Sequence, residues 1–180
     1  MSTLSDTHTL TMPDGTSFVV VESSAESAGA RMEFEITMPR GAMGPPRHTH
    51  PEQEEEWRVV SGELSVQVGD DWQALAAGGT LAIPPGTVHT LKNRSQDTVR
   101  FRDVHRPALD FQEYIEDLDA LRAAGKLTTA MTPRTLIHGF VTLEAAGGFG
   151  LPRSLDATYT RLIDSLDIAF RAWPATKGAS

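Results

Sequence analysis

Residues 48–62 read HTHPEQEEEWRVVSG, and residues 78–93, a short stretch further on, read GGTLAIPPGTVHTLKN. In the first, two histidines one residue apart precede Glu52, Glu54, Glu55 and Glu56, each of a type that can complete a cation site. Side chains two apart on an extended chain share a face, so His48 and His50 converge if their segment is extended, which Pro45, Pro46 and Pro51 favour. Taken alone, the pair fits exposed loop histidines beside prolines better than a metal site.

Around these two stretches the chain carries short alternating runs separated by turn residues, from about Thr9 to Arg106, which predicts a compact all-β sandwich or barrel. The runs are SFVVVE (17–22), RMEFEITM (31–38), EEWRVVS (55–61), ELSVQVG (63–69), WQALA (72–76), TLAIP (80–84) and TVRFRDVH (98–105). Pro13-Asp14-Gly15, Ser61-Gly62, Gly69-Asp70-Asp71, Gly78-Gly79 and Pro84-Pro85-Gly86 separate them. After Pro107 the period changes to that of a helix. Asp110 and Glu113 form a candidate capping box, and Phe111, Tyr114, Ile115, Leu118 and Leu121 recur at helical spacing up to a stop at Gly125. A second helix is expected from Thr132 and Pro133, with Leu136, Ile137, Phe140 and Val141 on one side. A third is expected from Ser154, with Leu155, Tyr159, Leu162, Ile163, Leu166, Phe170 and Trp173 as its apolar stripe, leaving only the terminal TKGAS as a disordered tail. The expected organisation is a β domain over residues 1–106 and a helical extension over 107–180.

With 180 residues, a net charge of −8 and no Lys/Arg run, the chain suits one buried core and lacks the clustered cations that tracking a nucleic-acid backbone requires. It has no cysteine, so any metal must be held by imidazole and oxygen. The N-terminal MSTLSDTHTLTMPDG lacks a basic and an apolar leader region, and no apolar run is long enough to span a bilayer. A soluble, cytoplasmic protein without nucleic-acid or membrane partners is expected.

The spacing from His48 through His50 and Glu55 to Gly62 resembles the first motif of the cupin family, HxHxxxxExxxxxxG. Gly78, Pro84, Gly86, His89 and Asn93 resemble its second, GxxxxxPxGxxHxxxN, in the right order and separated by ELSVQVGDDWQALAA. The resemblance covers about Arg31 to Arg106. It implies a mainly β fold, a cupin jelly-roll β-barrel followed by the helical extension, and a metal held by His48, His50, Glu55 and His89. Alternation supports choosing Glu55: it puts Trp57 and Val59 inward with it and leaves Glu54, Glu56 and Arg58 in solvent. Gly86 is expected at positive φ, reversing the chain so that His89 points inward, and Asn93 is expected to stabilise a turn.

Three imidazoles and a carboxylate suit one divalent transition metal, Fe, Mn, Ni, Co or Zn, with coordination positions left for substrate. The implied function is a metal-dependent enzyme acting on a small organic molecule, with a dioxygenase-type oxidoreductase the leading reaction. A Lewis-acid isomerase, cyclase or lyase, or a ligand-binding module without catalysis, is the alternative. Glu55 and His105 are the candidates for moving a proton, although His105, on a face with Val99, Phe101 and Asp103, also suits an ordinary core histidine. Phe34, Trp57 and Phe101 are candidate walls of a substrate pocket. The helices are candidates for a lid or a dimer contact, and a homodimer is expected because such a barrel otherwise exposes strand edges.

Overall fold

A computed structural model describes residues 9–45, 47–125 and 127. Nine strands follow one another: β1 (Thr9–Thr11), β2 (Ser17–Glu22), β3 (Met32–Met38), β4 (Glu54–Ser61), β5 (Glu63–Val68), β6 (Asp71–Ala76), β7 (Thr80–Ile83), β8 (His89–Lys92) and β9 (Val99–Arg106). One helix, α1 (Phe111–Ala123), comes after them. The strands pair antiparallel into a six-stranded sheet, ordered β1-β2-β3-β9-β4-β7, and a three-stranded sheet, ordered β6-β5-β8. The result is the mainly β jelly roll expected. All seven alternating runs are strands; β1 and β8, three and four residues long, are additions to them.

Register explains what the barrel buries. Across β3, β9, β4 and β7 one inward row is Met32, His105, Glu55 and Ile83, and the next is Phe34, Asp103, Trp57 and Leu81. A third row is Ile36, Phe101 and Val59. The barrel is therefore apolar along most of its length and carries its ionisable groups at one end, where the period of two brings Glu55, Asp103 and His105 inward. Leu64, Val66 and Leu91 close the core from the smaller sheet.

On the outer face the same period places opposite charges side by side. Arg106 Nη1 lies 3.4 Å from Glu54 and 3.0 Å from Glu56, and Arg102 lies 3.3 Å from Glu33 and 2.9 Å from Glu35. Exposed pairs of this kind contribute at most about 1 kcal/mol each, and their main consequence is to favour one register over a slipped one.

Helix α1 is bound into the same core. Ile115 and Leu118 are buried in it, and the Asp119 carboxylate accepts the Thr11 backbone N–H at 3.0 Å, tying the helix to β1. The helix ends before Gly125, which takes φ +67°, as its spacing predicts. The capping box is not formed: Asp110 sits at the N-cap position, but its side chain makes no cap hydrogen bond, because its backbone (φ −95°, ψ 21°) lacks the extended conformation that aims such a side chain at the first turn. The second and third expected helices lie outside the described residues. Among the described residues no helix is long and apolar enough to cross a membrane.

Two elements lock the loop that leads to His48. Asn93 donates through Nδ2 to the carbonyls of Met38, Pro39 and Asp97, and accepts through Oδ1 from Ser95 N–H and Oγ–H, the structural role expected of it. Gly44 has φ +62°, and a Cβ there would stand 2.2 Å from the Leu91 carbonyl oxygen on β8. Gly44→Ala is therefore expected to lose about 1–3 kcal/mol of stability, read as a lower urea midpoint at unchanged slope.

Candidate metal centre

The two histidine segments meet at the end of the barrel that carries the polar row. His48 and His89 form an isolated antiparallel bridge, His48 N–H donating to the His89 carbonyl at 3.0 Å and His89 N–H to the His48 carbonyl at 2.9 Å. The His50 carbonyl accepts the Gly86 N–H at 2.8 Å. Gly86 is at φ +76°, the left-handed conformation expected of the turn, and the chain reverses there to start β8 at His89. Glu55 reaches the same point from β4 in the larger sheet.

One ligand-type atom from each of His48, His50, Glu55 and His89 lies within 4.8 Å of the other three. His50 Nε2 is 3.4 Å and His89 Nε2 2.8 Å from Glu55 Oε2. His50, Glu55 and His89 are at most 4% exposed, and His48 is half-buried. Despite the short distances, His50 Nε2, His89 Nε2 and Glu55 Oε2 form no hydrogen bond. At His89 the Nδ1 is 2.7 Å from the Thr87 carbonyl, which can only accept, so Nδ1 carries a proton and Nε2 is the nitrogen turned toward the carboxylate. Buried polar atoms without a well-aligned partner are unfavourable alone, and a cation bound among them satisfies them together. The donor set, imidazole nitrogen and carboxylate oxygen, fits a divalent transition metal, and this buried cluster can bind one.

The ionisable groups influence one another strongly. Burial pushes the Glu55 carboxyl up, but His105, His50 and His89 outweigh it and hold Glu55 well below the usual carboxylate range. Burial keeps His50 low and hence neutral. Burial also works against a charged His89, yet the neighbouring Glu55 carries that ring above its ordinary value.

A second group of three, Glu55, Asp103 and His105, lies beside the first and shares Glu55 with it. His105 Nε2 is 3.4 Å from the Asp103 carboxylate and 3.8 Å from Glu55 Oε1. Burial raises Asp103 to about 6, while Asp103 and Glu55 together overcome burial to raise His105. Phe111, from the first turn of α1, stacks on His105 with ring centres 3.6 Å apart and meets His50 edge-on at 5.9 Å.

The structure thus brings together the four expected ligands and places His105 next to them rather than elsewhere in the core. The three aromatic residues read as pocket walls are spread along the barrel. Trp57 is edge-on to His89 at 5.7 Å and Phe34 is 6.2 Å from Phe111, whereas Phe101 is two inward rows away from Glu55 and is fully buried. Sequence reasoning missed two neighbours of the site. Asp103 was placed on the His105 face by alternation without a role, and Phe111 was read only as part of a helix stripe; its contact with His50 spans about sixty positions and leaves no local signal.

Residues 34–105 match the family model described as Cupin domain. No curated protein matches the chain. Among solved structures, KdgF from Halomonas sp. superposes with a TM-score of 0.52 at 21% identity, covering 58% of this chain and 90% of that one. An RmlC-like cupin from Shewanella frigidimarina gives 0.51 at 23%, covering 60% and 90%. A predicted oxalate decarboxylase from Thermotoga maritima gives 0.51 at 15%, covering 56% and 90%. At these identities the likeness is one of fold. The cupin-domain match over residues 34–105 and these superpositions agree on a cupin fold for the barrel.

Proposed function

We propose that this protein is a metal-dependent enzyme in which His48, His50, Glu55 and His89 hold one divalent transition metal and a small organic substrate binds beside it. The observation that carries this reading is the convergence of one ligand-type atom from each of His48, His50, Glu55 and His89 to within 4.8 Å of one another, three of the four residues being buried. When bound, the metal supplies Lewis acidity and, if redox-active, a route for dioxygen. The protein's own part is to present the ligands, to exclude water with Trp57, Phe34 and Phe111, and to hold a proton on the Asp103–His105 pair close to Glu55 Oε1.

Oxygenase chemistry is the leading reaction class, because a set of three imidazoles and one carboxylate suits redox-active iron, manganese or nickel as well as zinc. The test is oxygen uptake after anaerobic loading with Fe(II), Mn(II) or Ni(II) and a panel of phenols, diketones and flavonoids. Uptake with at least one pair supports the oxygenase, and none across the panel counts against it. A non-redox lyase or isomerase is favoured by one specific feature, the buried Asp103–His105 pair, which can shuttle a proton without oxygen. Turnover under argon with Zn(II) would select that reading.

Metal uptake is expected to depend on pH. Glu55 raises His89, so binding displaces a proton from that ring, whereas His50 is already neutral. Affinity is expected to fall about tenfold per pH unit once pH drops below the raised pKa of His89, and to level off above it. Zinc titrations in buffers of different ionisation enthalpy check this through the number of protons released.

A further inference from the structure

Glu55 divides its two oxygens between two sets of neighbours. Oε2 faces His89 Nε2 at 2.8 Å and His50 Nε2 at 3.4 Å and has no hydrogen-bond partner. Oε1 accepts the indole N–H of Trp57 at 2.6 Å and has His105 Nε2 at 3.8 Å. The indole is fixed in turn. Trp57 is 1% exposed, its strand neighbours across the sheet are Asp103 and Leu81, and its ring lies edge-on to His89 at 5.7 Å.

We infer that Trp57 is a positioning residue that restricts Glu55 to giving the metal a single oxygen. This rests on the metal site proposed above. An indole N–H is a donor only, and at 2.6 Å between two buried side chains its bond to a carboxylate is charge-assisted and strong. For Glu55 to turn both oxygens toward His50 and His89, that bond must break and leave a buried donor unpaired, at a penalty that disfavours the rotation. The inward alternation of β4 produces the arrangement, since residues two apart stand side by side on one face. One oxygen given instead of two leaves one more coordination position for a substrate. Trp57 thus acts through Glu55 rather than on the substrate.

The experiment compares wild-type protein, Trp57→Phe, and a variant carrying benzothienylalanine at position 57, which keeps the bicyclic shape and lacks the N–H. Each is loaded with Co(II) and followed by visible absorption and by infrared difference spectra with ¹³C-labelled glutamate. Wild-type protein is expected to show the wide separation of carboxylate stretches typical of one-oxygen ligation. Both variants are expected to narrow that separation, to weaken the cobalt bands as coordination number rises, and to bind Co(II) about ten- to a hundredfold less tightly. The shape-retaining analogue carries the test if phenylalanine unsettles the core. Wild-type spectra of two-oxygen ligation, or variant spectra that match a one-oxygen wild type, overturn the inference while leaving the metal site standing. Wild-type protein that takes up no cobalt overturns both.

Discussion

His89→Ala is expected to weaken divalent-metal binding by more than about a hundredfold, and His105→Ala by roughly tenfold, when the two are titrated side by side with Zn(II) or Co(II). The ranking follows from where the rings point. His89 Nε2 faces the shared centre with its ring held in place by the Thr87 carbonyl, whereas His105 reaches only the far oxygen of Glu55, at 3.8 Å. His89→Ala also leaves Glu55 buried with one cationic neighbour fewer. Metal-free His89→Ala should therefore lose stability as well as affinity, since removing one partner of a buried charge is strongly destabilising. Equal effects of the two substitutions would mean that the metal sits between the two groups of ionisable side chains rather than within the first.

Phe101→Ala is expected to have the converse profile. Phe101 is fully buried between Ile36 and Val59, two inward rows from Glu55, so its truncation leaves a cavity in the apolar part of the barrel. The expected loss is about 3–5 kcal/mol, a fall in melting temperature on the order of 10 °C or more, with metal stoichiometry of the folded protein unchanged. Circular dichroism melts with metal analysis of the folded fraction measure both. A large loss of metal with little loss of stability would place Phe101 in the site after all.

The difference between Phe101 and Trp57 marks how far alternation carries. It tells which residues share the inward face, and every inward assignment on β3, β4 and β9 holds, including Glu55 over Glu54 and Glu56. It does not tell how far along the barrel axis a residue lies from the ligands, which depends on the cross-strand register that sets His105 opposite Glu55. Hence Phe34, Trp57 and Phe101 are indistinguishable in sequence, although Trp57 donates to Glu55 and Phe101 is remote from it. The short strands β1 and β8 were illegible for a different reason. Three or four residues are too few to display a period, and β8 was recognisable only as the segment carrying His89.

The candidate metal centre was the most legible part because its four side chains sit in two local patterns, while the groups around them come from long-range packing. Phe111 reaches the His50 and His105 rings only because α1 docks on the barrel through Ile115, Leu118 and Asp119. Asp103 acquires its role through burial beside His105, which raises it to about 6, and burial depth is not written in a strand's alternation.

X-ray absorption spectroscopy of the metal-loaded protein, purified without an affinity tag, tests the central claim most directly. The account predicts one ion per chain whose protein ligands are three imidazole nitrogens and one carboxylate oxygen. A shell of oxygens without imidazole scattering, or protein that retains no ion after loading and desalting, would contradict it.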